Sequence, residues 1–345
     1  MIVICGEALV DLVAEPGGDQ FTARMGGSPA NTAVTLGRLG ASVALLARFS
    51  GDAFGARLRA HLEASGVDLS LAAAAEEPTT LAIAVPGAQG RTEYSFYVQG
   101  TADWQWREDE LPTLPRTPST QSTPSTQSTP STPSTQSTQS PPSTGATSPS
   151  PAAVSAVVAG SLALLLPPGN AVLEGFWSTA DAVRVLDPNV RPTLAGDPTE
   201  FRAVARRWVA SAHLVKVSED DLAWIEPDQP PQETAAQWHA GGGGPVVVGT
   251  ADARGAWVLA GGRPAVSVPG LSVDVVDTVG AGDSFAGALL DALQRRGALT
   301  PAGISALDDE GWRAVLGRAV QVSAITCTRA GADPPWLDEI PDEAA

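Results

Sequence analysis

The sequence predicts an α/β protein in which a mostly parallel sheet is covered by helices on both faces. Short apolar runs alternate with segments of helical periodicity along most of the chain, as in parallel sheets joined by crossover helices. Two segments, 80–85 and 92–98, instead alternate apolar and polar residues, as half-buried antiparallel strands do. These two segments predict a small additional β-sheet. The chain is 345 residues long, enough for one large domain or two small ones.

Each predicted element follows from its local pattern. The predicted strands of the main sheet are short apolar runs at 2–5, 42–46, 156–158, 182–186, 214–217, 246–248, 256–259 and 265–268. The predicted helices carry apolar residues at helical spacing, at 28–39, 53–65, 200–210, 220–225, 283–295 and 311–326. A further apolar run at 273–276 predicts a strand, which would lead through a glycine turn into the helix that starts at Asp283.

Residues 117–150 differ from the rest of the chain, because they are almost wholly Ser, Thr, Pro and Gln in near-repeats. Without large apolar side chains, nothing offsets the entropy of ordering this segment, so we expect a disordered insertion. A glycosylated stalk would belong on an exported protein, and a phosphorylated regulatory loop is a third interpretation. We favour a repeat expansion in a surface loop, since long surface loops cost little stability.

The composition excludes several classes of function. The net charge is −17, and so acidic a chain repels nucleic-acid backbones and anionic lipid. Two cysteines are too few for a disulfide framework, and the three histidines lack metal-ligand spacing. The amino-terminal segment does not resemble a signal peptide, and no run approaches the ~20 apolar residues that span a bilayer. We therefore expect a soluble cytoplasmic protein.

A glycine-rich segment carries the clearest chemical signal. It reads Asp277-Thr278-Val279-Gly280-Ala281-Gly282-Asp283 and precedes an apolar helix. Glycines allow close backbone approach, and the first turn of a helix presents free N–H groups to an anion. Asp283 could accept a hydroxyl proton beside that anion. The pattern favours phosphoryl transfer to an alcohol, although a capped turn would contain the same residues.

A second segment, Gly26-Gly27-x-x-x-Asn31, enters the first predicted helix. It permits close approach of a ligand and places an amide donor and acceptor in the first helical turn. A loop before a capped helix explains it equally well. The chain has neither the P-loop motif nor the glycine fingerprint of dinucleotide-binding folds, which argues against a dehydrogenase.

With these two motifs in this order, the chain resembles the ribokinase-like, or PfkB, family of carbohydrate kinases. Further matches are Gly6 to Asp11, which looks like the opening of fructokinases and 2-keto-3-deoxygluconate kinases, Gly51-Asp52-x-x-Gly55, Leu186 to Arg191 and Arg329 to Ala332. The resemblance covers nearly the whole chain except 113–150. It implies one three-layer α/β/α domain over 1–345. It also implies a small β-sheet lid, near 12–25 and 80–98, that closes over the sugar and is often shared in a homodimer.

The resemblance also implies roles for individual residues. Asp283 would be the catalytic base, and Gly280, Ala281 and Gly282 would form the anion hole. Sugar hydroxyls would be held by Asp11, Gly27 and Asn31. Arg191 would reach toward the phosphates, although it could equally be a surface residue.

On the nucleotide side, the expected ATP-binding residues are Lys216, Ser218, Thr250, Gly255 and Gly282. Lys216 is the only lysine in the chain, and chance explains it equally well. Asp221 would organise Mg²⁺ through water, and Asp277, Val279 and Gly331 fall where the family often binds a monovalent cation such as K⁺. Asp252 occupies a position that is usually glycine, where it would either crowd phosphate or point outward.

These observations predict an ATP-dependent sugar kinase with small-molecule partners only, and fructokinase is the leading activity. The alternative is a 2-keto-3-deoxygluconate kinase, which should need a cation near the carboxylate of its substrate. A non-catalytic sugar or nucleotide sensor would be expected to lack the base, yet Asp283 is present.

Overall fold

An eight-stranded sheet forms the centre of the molecule. The computed structural model describes residues 1–15, 17, 19–86, 92–114, 153–240 and 243–341, so the predicted insertion at 117–150 lies outside the described residues. The strands of the main sheet are β1 (Ile2–Cys5), β4 (Val43–Leu46), β9 (Ala156–Gly160), β10 (Val183–Asp187), β11 (Leu214–Ser218), β12 (Val246–Thr250), β13 (Ala256–Leu259) and β14 (Val266–Val268).

The main sheet is mostly parallel, as predicted. Its strand order is β14-β13-β12-β11-β10-β9-β1-β4, and the six strands from β12 to β4 pair in parallel. At one edge of the sheet, β13 pairs antiparallel with β12 on one side and with β14 on the other. The carboxyl ends of β1, β10 and β11 therefore lie on the same side of the sheet, where ligands bind in open α/β folds.

Helices cover both faces of this sheet. They are α1 (Ser28–Arg38), α2 (Ala53–Ala64), α3 (Gly169–Ser178), α4 (Pro198–Ser211), α5 (Glu219–Ile225), α6 (Pro231–Ala240), α7 (Ala281–Arg295), α8 (Pro301–Ala306) and α9 (Asp309–Cys327). One apolar cluster joins α1, α2, α7, α8 and α9 to alternate strand residues such as Ile4 and Val158. A second cluster joins α3 to α6 to the opposite face, through residues such as Val157 and Val215. None of the helices in the described ranges is long and apolar enough to cross a membrane.

The predicted additional sheet is present and has four strands. These are β2 (Leu9–Ala14), β3 (Phe21–Gly26), β7 (Leu81–Pro86) and β8 (Thr92–Tyr97), in the order β3-β2-β7-β8. Strand β2 follows β1 after three residues, so the sheet starts at the carboxyl end of the main sheet. A parallel pair, β5 (Arg48–Ser50) and β6 (Ala73–Ala75), completes the strands of the described residues.

The predicted strand at 273–276 is wrong. This run contains no strand, and Val275 and Val276 are 62% and 64% exposed. Its backbone is instead anchored to the end of α9, because the N–H groups of Val276 and Asp277 both donate to the carbonyl of Cys327. The glycine turn therefore joins a loop, and not a strand, to α7.

The Gly51-Asp52-x-x-Gly55 motif is the start of α2. Asp52 is the N-cap, and its Oδ1 accepts hydrogen bonds from the N–H of Gly55 (2.8 Å) and the hydroxyl of Thr79 (2.7 Å). The N–H of Thr79 donates to Oδ2 at 2.9 Å. Burial acts to raise the pKa of Asp52, but these bonds outweigh it and lower the pKa to about 2. A Cβ at Gly55 would lie 2.1 Å from the carbonyl oxygen of Ser50, so this position requires glycine.

Replacing Asp52 with alanine is expected to lower the free energy of unfolding by about 1–2 kcal/mol at pH 7, because the cap and the bonds to Thr79 are both lost. The folded-state pKa lies below the ~3.9 of an unfolded aspartate, so this stabilisation is present above about pH 4 and fades as the pH falls toward 2. Urea unfolding at pH 7 and pH 3 measures both effects. Asp308→Ala is the control, since the Oδ1 of Asp308 bonds only the N–H of Gly311 in α9. Equal losses of unfolding free energy in the two variants would show that the bonds from Thr79 to Asp52 add no stability beyond the helix cap.

Candidate active site

The glycine turn produces an anion-binding helix terminus. Gly280 is the N-cap of α7 and has a left-handed backbone (φ 76°), and a Cβ there would lie 2.5 Å from the Cβ of Ala332. Ala281 donates its N–H to the carbonyl of Thr278. Within the described part of the chain, the N–H groups of Gly282 and Asp283 have no hydrogen-bond partner. These two groups and the helix dipole can stabilise a migrating phosphoryl group.

Asp283 is held in place by α1. Its carboxylate is 8% exposed and accepts hydrogen bonds from the hydroxyl of Ser28 to Oδ1 (2.6 Å) and from the side-chain amide of Asn31 to Oδ2 (2.8 Å). These bonds fix the direction of the carboxylate without neutralising it. Asn31, which the sequence predicts as a sugar ligand, thus also orients the carboxylate of Asp283. Ser28 was missed, although it lies inside the Gly27–Asn31 motif.

A cavity of about 750 Å³ opens in front of Asp283. It is lined by most of the predicted sugar-site and anion-hole residues, namely Asp11, Gly27, Asn31, Gly280, Gly282 and Asp283. Glu93, Tyr94 and Phe96 of β8 line it from the small sheet. Tyr94 and Phe96 stack with ring centroids 6.0 Å apart, and such an apolar surface suits the C–H face of a sugar.

Asp11 reaches this cavity from β2. Burial and the negative charge of Asp283 raise its pKa to about 6, against the opposing effect of Arg191. A Cβ at Gly26 would lie 2.1 Å from Oδ2 of Asp11, so glycine at this position leaves room for the carboxylate. Gly27 has φ 101°, and a Cβ there would lie 2.7 Å from the carbonyl of Glu7.

The single lysine lies behind the anion site. Lys216 pairs with Asp187 at 3.0 Å, and both side chains are buried. Burial alone would lower the pKa of Lys216, but Asp187 and the nearby Asp221 and Asp283 raise it. A Cβ at Gly282 would lie 3.2 Å from Nζ of Lys216, which places the ammonium beside the first turn of α7. Asp187 was missed as a site residue, although it belongs to the Leu186-to-Arg191 match.

Ser218 and Asp221 form a capping box at the start of α5. The N–H of Asp221 donates to Oγ of Ser218 at 3.0 Å, and the N–H of Val190 donates to Oδ1 of Asp221 at 2.9 Å. Each carboxylate oxygen of Asp221 therefore already accepts a backbone bond. Across the residues that the structure describes, no three acidic, His or Cys side chains group as a metal site. Asp221 thus fits a contact to Mg²⁺ through water better than direct ligation.

Thr250 and Gly255 flank a tight turn outside the cavity. Thr250 is the last residue of β12. Gly255 has φ 101°, and a Cβ there would lie 2.1 Å from the carbonyl oxygen of Val268, so this position requires glycine. Asp252 takes a left-handed backbone (φ 46°), which explains why glycine is usual at this position. Its side chain is exposed.

The three residues predicted to bind a monovalent cation lie together. Asp277 accepts hydrogen bonds from the N–H of Gly331 to Oδ2 (2.8 Å) and from the N–H of Val279 to Oδ1 (3.1 Å). The bond from Gly331 ties the loop before α7 to the loop after α9, and the bond from Val279 is local to the first loop.

Sequence comparisons with known proteins give matches over most of the chain. The sequence profile of the pfkB family of carbohydrate kinases matches residues 1–117 and 147–339. The fructokinase of Rhizobium leguminosarum bv. trifolii is 32% identical over 318 residues, which cover 91% of this chain and 86% of the relative. The fructokinase of Klebsiella pneumoniae is 28% identical, with 98% and 97% covered.

Solved structures share the fold. The fructokinase of Xylella fastidiosa with bound ATP superposes with a TM-score of 0.78 at 22% identity, covering 99% of this chain and 94% of that one. The fructokinase of Vibrio cholerae O395 with fructose, ADP and calcium superposes at 0.73 and 22% identity, with 96% and 94% covered. The three-layer ribokinase-like fold is thereby confirmed.

The chain belongs to the pfkB family of carbohydrate kinases. It is therefore an ATP-dependent sugar phosphotransferase, as the sequence predicts. Between its two matched ranges the profile leaves residues 118–146 unmatched, and these lie wholly within the predicted insertion at 117–150.

Proposed function

We propose that this protein is a fructokinase, which transfers the γ-phosphoryl group of ATP to a hydroxyl of fructose. The observation that carries the proposal is the position of Asp283, whose oriented carboxylate lies at the same helix terminus as two free N–H groups. The relatives from Rhizobium leguminosarum bv. trifolii and Klebsiella pneumoniae, which match more than nine-tenths of this chain, are fructokinases.

The mechanism follows from these groups. The substrate hydroxyl loses its proton to Asp283 as its oxygen attacks the γ-phosphorus, and the bond from phosphorus to the bridging oxygen of ADP breaks. The N–H groups of Gly282 and Asp283 stabilise the charge on the phosphoryl oxygens, and Lys216 adds positive charge behind them. Mg²⁺ would supply charge neutralisation on the ATP phosphates, held through water by Asp221. The remaining nucleotide contacts are assigned to Ser218, Thr250 and Gly255.

A neutral sugar suits the cavity better than a sugar acid. Four acidic side chains line it, Glu7, Asp11, Glu93 and Asp283, and Arg191 is the only cation among the described lining residues. The guanidinium of Arg191 already donates to Asn189, at 2.7 Å to its side-chain oxygen. A substrate carboxylate would therefore meet a negative site, which disfavours 2-keto-3-deoxygluconate.

The small sheet is proposed as a lid over the sugar, and its exposed aromatic residues Phe21 and Tyr97 support a homodimer formed through it. The Asp277, Val279 and Gly331 cluster is proposed to bind K⁺. Both cysteines are free, which supports a cytoplasmic location.

An ADP-release assay over a panel of sugars and sugar acids tests the proposed substrate. We expect D-fructose to give the highest kcat/KM, exceeding that of 2-keto-3-deoxygluconate by about 10²-fold or more, because the acidic lining repels a carboxylate. A higher value for the sugar acid would overturn the assignment. ATP-dependent turnover on no sugar at all would instead favour a sensor.

A further inference from the structure

Glu7 is a buried carboxyl group of the substrate cavity without a role in the mechanism above. It lies at the carboxyl end of β1, is 1% exposed, and lines the same cavity as Asp11 and Asp283. Among the residues that the structure describes, its Oε2 has no hydrogen-bond partner. A buried polar atom left unpaired costs about 1–3 kcal/mol, which a hydrogen bond from a ligand in the cavity would offset.

The protonation state of Glu7 allows it to act as either the donor or the acceptor of a hydrogen bond with a hydroxyl group. Burial raises the pKa of Glu7 to about 7 and Asp103 adds to this effect, whereas a hydrogen bond from Ser161 and the charge of Arg191 oppose it. Near neutral pH the carboxyl is therefore partly protonated and can both donate and accept hydrogen bonds. A sugar hydroxyl has the same dual capacity.

Glu7 and Asp11 experience different surroundings. Arg191 acts on both carboxyl groups, but the neighbouring negative charge is Asp283 for Asp11 and Asp103 for Glu7. Glu7 is thus suited to a hydroxyl other than the one that Asp283 deprotonates. We propose that Glu7 is a specificity-determining residue, whose Oε2 hydrogen-bonds a non-reacting hydroxyl of the sugar. The inference rests on the proposed function, because it takes a sugar as the occupant of the cavity.

Asp103 provides a matched control in the same chain. It is 2% exposed, its Oδ2 is also without a partner in the described residues, and burial raises its pKa to about 7. Its Oδ1 accepts a hydrogen bond from the N–H of Ala8 at 3.0 Å. Asp103 is absent from the residues that line the cavity. A variant at this position therefore removes a buried carboxyl that acts on the pKa of Glu7 but does not line the sugar cavity.

The test compares wild type with Glu7→Leu, Glu7→Gln and Asp103→Asn, using D-fructose and its monodeoxy analogues as substrates. We expect Glu7→Leu to lower kcat/KM for fructose about 10- to 100-fold, mainly through KM for the sugar, with KM for ATP unchanged. Glu7→Gln should recover most of this loss and remove the dependence of the sugar KM on pH near 7. Asp103→Asn should leave the sugar KM at pH 7 within about twofold and shift its pH dependence to lower pH, because the charge of Asp103 acts to raise the pKa of Glu7.

The deoxy analogues decide whether the contact is direct. For the analogue that lacks the hydroxyl bound by Glu7, wild type and Glu7→Leu should have equal kcat/KM, as in a double-mutant cycle. The same loss on every analogue, or an unchanged sugar KM in Glu7→Leu, would overturn the inference. If wild type prefers another sugar, the proposed substrate fails by itself, and the same cycle on deoxy analogues of that sugar still tests Glu7. Circular dichroism of each variant separates misfolding from lost binding.

Discussion

Asp283→Asn is expected to lower kcat by about 10²- to 10⁴-fold, because the amide cannot accept the proton of the attacking hydroxyl. Asparagine keeps the size of the side chain, and its oxygen can still accept the bond from Ser28 or Asn31. The sugar and ATP sites should therefore stay formed, and both KM values should change little. Steady-state kinetics with saturating ATP, and a thermal melt of the variant, measure the two effects.

The control for this prediction is Asp291→Asn, which lies two turns further along α7. Asp291 is 2% exposed and pairs with Arg295 at 2.8 Å, far from the free N–H groups at the start of the helix. This variant should lose some stability and keep its kcat within a few-fold. An Asp283→Asn enzyme with the kcat of wild type would remove Asp283 from the chemistry.

Lys216→Met is expected to lower the free energy of unfolding by about 3–5 kcal/mol at pH 8, because it leaves Asp187 buried and without its partner. Burial together with neighbouring Asp221 and Asp283 raises the pKa of Asp187 to about 6, although Lys216 acts to lower it. Without Lys216, that carboxyl should take up a proton at a higher pH than in wild type. The loss should therefore be smaller at pH 5 than at pH 8, as urea unfolding at the two pH values would show.

The double variant Lys216→Met with Asp187→Asn separates stability from catalysis. Removing both charges costs less than removing one, so this protein should regain most of the lost stability. The kcat of both Lys216→Met and the double variant should be lower than that of wild type, since neither has a positive charge beside Gly282. Recovery of full activity would show that Lys216 serves only to balance Asp187.

The sequence predicted the main sheet and the site best where a residue pattern is compatible with only one local structure. Apolar runs such as 214–217 are buried on both faces, and β11 forms there within one residue of the predicted bounds. Gly280–Asp283 required both a positive φ and a helix start, and the structure has both.

Other features could not be read from local patterns. The run at 273–276 is mostly apolar and yet largely exposed. Its conformation could not be predicted, because its backbone is held by the carbonyl of Cys327, about fifty residues later in the chain. Helix α6 (Pro231–Ala240) carries only two buried residues, Thr234 and Ala235, so its apolar face was too narrow to be recognised. The Asp187–Lys216 pair depends on the adjacency of β10 and β11, which the order of elements in the chain does not specify.

The hydrogen bonds between α1 and Asp283 have a consequence for how the enzyme matures. The bonded residues are 255 and 252 positions apart, so each bond closes a loop of about 250 residues. During synthesis, Ser28 and Asn31 leave the ribosome long before the base exists, and their partner arrives only when α7 docks on α1. The nascent amino-terminal portion can thus bear half of the proposed sugar site and no phosphotransferase activity. Catalytic competence appears late and all at once, when the two distant parts of the chain meet.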